Sequence, residues 1–142
     1  MVGTLVSATE AKDRKFYVTK PLFTGSQALT ACATGYHMAL FWEIFELGNL
    51  TYDTTLGVVS DDTGSGPPTG VVGWARTGYT ADVSFTAGSG NCHLWTSNAH
   101  IDHGTFVFLP ADWGSSSSSI APWSAQVDNC DSPRPVWCVS DK

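Results

Sequence analysis

The chain has 142 residues, of which 14% are charged, and it carries a formal net charge of -6. This length allows a single domain, and six Trp, four Tyr and seven Phe residues supply enough apolar surface to exclude a disordered chain. The acidic balance excludes nucleic acid as a partner, because such a surface repels phosphate. No apolar run is long enough for a membrane span.

The first predicted element is a strand at Lys15–Thr19, a segment that alternates and is rich in strand-forming residues. Pro21 follows closely and ends it. Residues 1–14 show no strong pattern. We therefore expect a loosely ordered lead-in and, over residues 15–142, one domain.

Two helices are predicted next. Capping residues that start at Thr24 favour a helix over Gln27–Ala33, which would turn Leu29 and Cys32 inward. The stronger helical pattern lies in Met38–Leu47. Two short helices after an initial strand already indicate a mixed α and β architecture.

The Met38–Leu47 segment is interpreted as a core helix. Its acidic side chains, Glu43 and Glu46, are expected on the solvent side, and Trp42 is expected in the core. The apolar face is formed by Leu40, Phe41, Ile44, Phe45 and Leu47.

Short strands and long loops fill the second half of the chain. The predicted strands are Gly70–Thr77, Asn91–Ser97, Thr105–Leu109 and Pro135–Val139, and their indoles Trp74, Trp95 and Trp137 are expected in the core. Long loops are predicted at Asp53–Gly70 and Ser97–Trp123, the second with a serine run at its tip. This order is typical of an α+β fold in which the first and last strands can pair.

Four cysteines point to an oxidising compartment. They are Cys32, Cys92, Cys130 and Cys138, and no two are spaced as C-x-x-C. An even number of cysteines in a chain with few lysines favours disulfides, although three pairings are open and four reduced, buried thiols are the alternative. The first fifteen residues lack a signal-peptide pattern, so a secreted protein would be represented here by its mature form.

Several segments together resemble the C-type-lectin-like fold, in the wide sense that includes endostatin-like domains. They are Cys32 with Gly35–Ala39 after it, Gly73-Trp74, Asn91–Ser97, and the closing Cys130 and Val136–Val139. The resemblance spans most of the chain and is closest to uncharacterised secreted bacterial proteins. It implies two helices packed on short, mostly antiparallel strands with long loops, adjacent terminal strands, and nested disulfides Cys32–Cys138 and Cys92–Cys130.

The sequence departs from the family in its calcium-dependent sugar motif. It has neither the Glu-Pro-Asn or Gln-Pro-Asp loop nor the Trp-Asn-Asp strand, and Trp95-Thr96-Ser97 stands at the strand position. We expect no cofactor. An irregular Ca²⁺ site that uses Asp53, Asp61 and Asp62 is the alternative, against a solvated turn.

His100, Asp102 and His103 form the most metal-like cluster. Two imidazoles and a carboxylate suit zinc or nickel, but no fourth ligand is evident. The competing interpretation is a polar, exposed loop. The same side chains are the nearest candidates for water activation in a hydrolase, although the chain has no Gly-x-Ser-x-Gly elbow.

Two indoles flank the serine run, Trp113 and Trp123. An exposed indole can stack on a sugar ring, whereas the alternative places both side chains in the core. The candidate ligand-binding residues are Asp61, Asp62, Asn98, Asp102, Asp112, Trp113 and Trp123.

The predicted function is that of a secreted or cell-surface binding module. Its ligand site would lie on the long loops, and its partner would be a glycan or a surface protein, because loops on a stapled scaffold can vary freely. The first alternative is a self-assembling structural subunit of an extracellular appendage, fibre or coat. The second is a hydrolase with an unrecognised site.

Overall fold

The computed structural model describes residues 14–61, 64–79, 84–110 and 123–142. The strands are β1 (Lys15–Val18), β2 (Tyr36–Met38), β3 (Thr51–Tyr52), β4 (Gly73–Trp74), β5 (His103–Phe108), β6 (Ser124–Asn129) and β7 (Trp137–Ser140). The helices are α1 (Gly25–Ala28), α2 (Phe41–Ile44), a 3-10 turn (Leu47–Asn49) and a single helical turn at Cys92–Trp95. The fold is therefore α+β, as the sequence predicts.

The first sheet joins the two ends of the domain. Its strand order is β2-β7-β1-β3. The last strand, β7, runs antiparallel to both neighbours, with Tyr17 opposite Cys138 and His37 opposite Val139. Strand β3 is parallel to β1. The prediction that the first and last strands pair is confirmed.

The second sheet is an antiparallel β4-β5-β6 arrangement. Strand β5 pairs with β6 along its whole length, from His103 opposite Asn129 to Phe108 opposite Ser124. Sequence reasoning did not find β6, because its residues are largely polar and only partly buried. Pairing with β5, rather than its own apolar pattern, defines this strand.

Trp137 links the two sheets through the core. Its ring is fully buried, stacks at 6.1 Å on Phe16 of β1, and donates from Nε1 to the Val107 carbonyl of β5 at 2.9 Å. Trp74 is equally buried and donates from Nε1 to the Phe23 carbonyl at 2.8 Å. The predicted core positions of Trp74 and Trp137, and also of Trp95, are confirmed.

Two nested disulfides close the domain. Cys32 bonds to Cys138 and Cys92 bonds to Cys130, each with Cα atoms 5.8 Å apart. The outer bond ties the segment after α1 to β7, and the inner bond ties the Cys92–Trp95 turn to the end of β6. In the loop-entropy model these bonds are worth about 5 and about 4 kcal/mol.

The first helix is shorter and earlier than predicted. It covers Gly25–Ala28 instead of Gln27–Ala33, and Leu29 is 45% exposed rather than turned inward. The reason is a close approach of α1 to the inner disulfide: a Cβ on Gly25 would lie 2.7 Å from Sγ of Cys92. The helix thus packs through small residues, and Leu29, directly after it, is left exposed.

The predicted Met38–Leu47 helix is broken into three pieces. Strand β7 recruits Met38 into β2, and only Phe41–Ile44 forms α-helix before the 3-10 turn. Three placements in it were wrong, and one of them is Phe45 of the predicted apolar face, which is 48% exposed. Trp42 is 69% exposed instead of buried, and the side chain of Glu43 is 19% exposed because it faces partners within the protein.

The predicted strand at Asn91–Ser97 is also wrong. Cys92, His93, Leu94 and Trp95 have φ values of 45, 55, 57 and 63°, which is a left-handed turn without glycine. Such a backbone costs L-residues about 1–2 kcal/mol each. The inner disulfide and the hydrogen bond from Trp95 N to Asn91 O, at 2.8 Å, hold the turn in place.

Candidate functional site

A concave surface lies between α2 and the second sheet, and we call it the aromatic groove. Its volume is about 390 Å³. Strands β5 and β6 contribute to its lining together with α2 and the segments that follow β4 and precede Gly90. The lining residues are Phe41, Trp42, Thr77, Gly78, Tyr79, Ala87, Gly88, Thr105, Val107 and Ala125.

Two exposed aromatic side chains stand in this groove. Trp42 comes from α2, and Tyr79, which is 56% exposed, follows β4. Gly78 adopts a φ of +80°, and a Cβ on it would be 4.0 Å from Trp42 Nε1. The backbone before Tyr79 therefore turns beside the indole in a conformation that favours glycine.

The Trp42 ring is supported by neighbouring rings. Phe41 lies 5.7 Å from it and Phe45 lies 6.4 Å from it, both at steep interplanar angles. Phe41 in turn contacts the buried Trp123 ring at 6.4 Å. An exposed indole held by such contacts loses little conformational entropy when a ligand stacks on it.

The hydroxyl groups of the groove mostly serve the protein itself. Thr105 Oγ1 accepts from Gly88 N at 3.0 Å and donates to Gly90 O at 2.8 Å. Thr77 Oγ1 accepts from Asn91 Nδ2 at 2.9 Å. By contrast, the hydroxyl of the exposed Tyr79 makes no hydrogen bond to the described part of the chain.

A cluster of charged groups anchors α2. The Glu43 carboxylate accepts from Leu40 N at 2.9 Å, from Arg14 Nη2 at 2.9 Å and from His37 Nε2 at 3.0 Å. His37 Nδ1 also contacts Asp141 Oδ1 at 2.7 Å. The cluster connects α2 to the residue before β1, to β2 and to the C-terminal segment, and so it fixes the helix that carries Trp42.

The electrostatics of Glu43 reflect these contacts. Burial alone would raise the pKa of the carboxyl, but the hydrogen bonds from Leu40, His37 and Arg14 outweigh burial and hold the pKa below its ordinary value. Glu43 is thus an ionised side chain that holds α2 in place. It does not line the groove, and no lining residue of the groove is a carboxylate.

A smaller cavity adjoins the groove, and we call it the Arg76 hollow. Its volume is about 200 Å³, and it shares Gly78 and Tyr79 with the groove. Its other lining residues are Leu40, Arg76, Asn91, Leu94 and Trp95. The left-handed turn thus contributes two side chains to this hollow.

The predicted metal cluster is spread over separate partners. His100 contacts Asp131 at 3.1 Å, Asp102 is bonded to Ser97 Oγ, and the His103 ring lies 4.6 Å from Phe85. Within residues 14–61, 64–79, 84–110 and 123–142, no group of three or more His, Cys, Asp or Glu side chains is placed to hold a metal. The described geometry therefore lends no support to a site at His100, Asp102 and His103.

The same region contains a serine, a histidine and an aspartate. Ser97 Oγ donates to Asp102, and His93 Nε2 lies 3.9 Å from that carboxylate. A nucleophilic serine needs a hydrogen bond to the imidazole, which then takes its proton. Here the serine is bonded to the carboxylate instead, so these groups do not form a catalytic triad.

Asp53, a candidate calcium ligand, is occupied by the protein. Its carboxylate accepts from the Tyr36 hydroxyl at 2.7 Å and from Thr55 N and Leu56 N at 3.0 Å. Burial raises its pKa, and these hydrogen bonds together lower the pKa below the ordinary value. This is a turn carboxylate. Asp61 is exposed, and Asp62 lies outside the described residues.

The candidate ligand residues of the long loops have different fates. Trp123 is 5% exposed, and its ring packs 5.0 Å from the ring of Trp137. Trp123 is therefore a core residue, the alternative that the sequence left open. Asn98 is exposed. Asp112 and Trp113 lie outside the described residues.

Sequence reasoning missed Trp42 and Tyr79. One signal was present, because Trp42 lies one helical turn before Glu46 and so falls on the polar side of the helical pattern. A tryptophan among acidic positions indicates an exposed aromatic. Tyr79 follows Gly78 without a comparable pattern.

Comparisons of the chain with family models, curated proteins and solved structures find no match. Among the described residues, no helix has the length and apolar character needed to cross a bilayer.

Proposed function

We propose that the protein is a secreted or cell-surface binding module of C-type-lectin-like architecture whose aromatic groove binds a carbohydrate without calcium. The observation that carries this proposal is the exposed indole of Trp42, held at the groove beside Tyr79. A fold alone does not define a ligand. The argument therefore rests on the groove.

The chemistry of the groove favours a sugar ring. The flat, apolar indole face can cover the C–H face of a pyranose, and the Tyr79 hydroxyl can exchange hydrogen bonds with ring substituents. The surrounding charge supports the same choice, because a net charge of -6 disfavours polyanions. The proposed site lies between α2 and the second sheet, and its lining includes neither Asp61 nor Asn98.

The two disulfides support both the proposed C-type-lectin-like architecture and the proposed extracellular compartment. The outer disulfide encloses the inner one, and β1 pairs with β7, as the C-type-lectin-like resemblance implies. Two disulfides and the absence of free cysteines among the described residues favour an oxidising compartment.

A glycan array followed by calorimetry tests the proposal. We expect the native protein to bind at least one glycan class in the presence of a chelator. Trp42→Ala should weaken that binding at least tenfold, the effect expected for loss of an exposed stacking contact of about 1.4 kcal/mol or more. The matched control is Ile101→Ala, an exposed apolar side chain outside the groove. Absence of any glycan ligand, or equal binding by the two variants, would contradict the proposal.

A second candidate is a self-assembling extracellular subunit. It is favoured by the apolar side chains exposed together around the groove, Trp42, Phe45 and Tyr79, since assembly would cover them. Light scattering and negative-stain imaging distinguish the two. Ordered polymers that Trp42→Ala disperses would favour assembly, and a monodisperse native monomer would disfavour it.

A further inference from the structure

The Arg76 hollow contains a cation that no described carboxylate neutralises. Arg76 is the only Lys or Arg between Phe41 and Ser132. The ion pairs of arginines among the described residues involve Arg14 and Arg134. The Arg76 guanidinium instead donates from Nε and Nη2 to the Met38 carbonyl, at 3.0 and 2.7 Å. A guanidinium has five N–H donors, so most of them have no partner among the described residues.

A second donor without a described partner belongs to Trp95, a residue that lines the same hollow. Trp95 is 3% exposed, and its indole Nε1 is buried without a hydrogen-bond partner within the described residues. Leaving a buried N–H unpaired costs about 1–3 kcal/mol, and such groups are rare in folded proteins. An acceptor atom that reaches Nε1 from the hollow, with a small shift of the indole, would remove this cost.

The buried amide of the hollow is already paired. Asn91 is buried; its Oδ1 accepts from Thr77 N at 3.2 Å, and its Nδ2 donates to Thr77 Oγ1 at 2.9 Å. The lining contains no Asp or Glu. Among the described residues, the groups of the hollow without a partner are therefore one positive charge, one neutral N–H donor and the Tyr79 hydroxyl that the hollow shares with the groove. This combination suits an anionic acceptor, and a planar carboxylate matches the fork of a guanidinium.

We propose that the Arg76 hollow binds the carboxylate of an acidic sugar unit, such as a uronic acid, next to the sugar that stacks on Trp42. This inference rests on the proposed function of the groove. The two cavities share Gly78 and Tyr79, so neighbouring units of one glycan chain can occupy both. The net negative charge of the protein does not exclude a ligand with a single carboxylate, because the positive charge of Arg76 attracts that carboxylate locally.

The test uses carboxylate-bearing oligosaccharides and the same compounds after methyl esterification. We expect the native protein to bind at least one free acid and to lose about tenfold or more in affinity for its ester, the ratio that follows from loss of a charge-assisted hydrogen bond. Hits limited to neutral or sulfated glycans, or equal affinity for acid and ester, would overturn the inference while leaving the groove proposal standing. Absence of all glycan binding would overturn both.

Two variants assign the effect to the hollow. Trp95→Phe removes the N–H and keeps an aromatic ring, so it should reduce acid binding by about tenfold and leave ester binding unchanged. Arg76→Gln should do the same to a larger extent. Because Arg76 also bonds to Met38, its variant is paired with a thermal melt, and Trp95→Phe keeps the test decisive if Arg76→Gln fails to fold. An acid-to-ester ratio unchanged in Trp95→Phe would overturn the assignment of the carboxylate to this hollow. By contrast, Trp42→Ala should weaken acid and ester alike.

Discussion

The side chain of Trp137 contacts both sheets, and the residue packed against its ring, Gly73, has no side chain. A Cβ on Gly73 would lie 2.8 Å from Cδ1 and Nε1 of the indole and 3.1 Å from Cγ2 of Val18. These atoms are fully buried and cannot move away. The glycine of β4 is therefore required by packing rather than by its backbone conformation.

Gly73→Ala should lower the free energy of unfolding by about 1–3 kcal/mol, the usual cost of overpacking a core. Urea denaturation followed by tryptophan fluorescence measures it. The matched control is Gly48→Ala, because a Cβ there meets no atom within 4 Å. Equal stability of the two variants would contradict the packing argument.

At the scale of elements, α2 depends on its anchors. A helix of four residues has no stability of its own, so its position follows from contacts outside it. Glu43 supplies them through Arg14, His37 and the Leu40 N–H. The one-turn helix is thereby fixed against β1 and β2, with Trp42 on its outer side.

Glu43→Gln keeps the shape of the side chain and removes its charge. Because the pKa of Glu43 is lowered in the folded state, its ionised form stabilises the fold, fully above the ordinary value of 4.5 and less as the pH falls through the lowered pKa. We expect the variant to be less stable than the native protein by about 1–3 kcal/mol at neutral pH.

This difference should narrow in acid, and urea titrations between neutral pH and pH 3 would measure it. Glu46→Gln is the control, since Glu46 is exposed and bonded only to Asn49 among the described residues. A deficit in Glu43→Gln that stays constant with pH would show that its charge does not anchor α2.

Element prediction from sequence succeeded where local pattern and tertiary environment agree. The strands at Lys15–Thr19 and Thr105–Leu109 were located, because their strand formers are also buried. Met38–Leu47 was misjudged, since pairing with β7 overrides its helical pattern. The left-handed turn at Cys92 could not be predicted, because a disulfide holds it and no glycine in the sequence marks it. The candidate site was missed because Met38–Leu47 was predicted as one unbroken core helix, and such a helix places Trp42 in the core.

At the scale of the whole molecule, the two nested disulfides stabilise different parts of the fold. The outer bond, Cys32–Cys138, spans 106 residues and secures the first sheet, to which β7 belongs. The inner bond, Cys92–Cys130, spans 38 residues and holds the turn that carries Trp95. Stability should therefore depend on both bonds, whereas ligand recognition in the Arg76 hollow should depend on the inner one.

Paired alanine variants separate these roles. Removing either disulfide should lower the free energy of unfolding by about 2–5 kcal/mol, with the larger loss for the outer bond because it closes the longer loop. Removing Cys92 and Cys130 should also release the strained left-handed turn. Acid binding should then fall to the level of ester binding while Trp42-dependent binding persists. Calorimetry on folded samples of both variants measures this, and a selective loss in the Cys32 and Cys138 variant instead would place the recognition element in the first sheet.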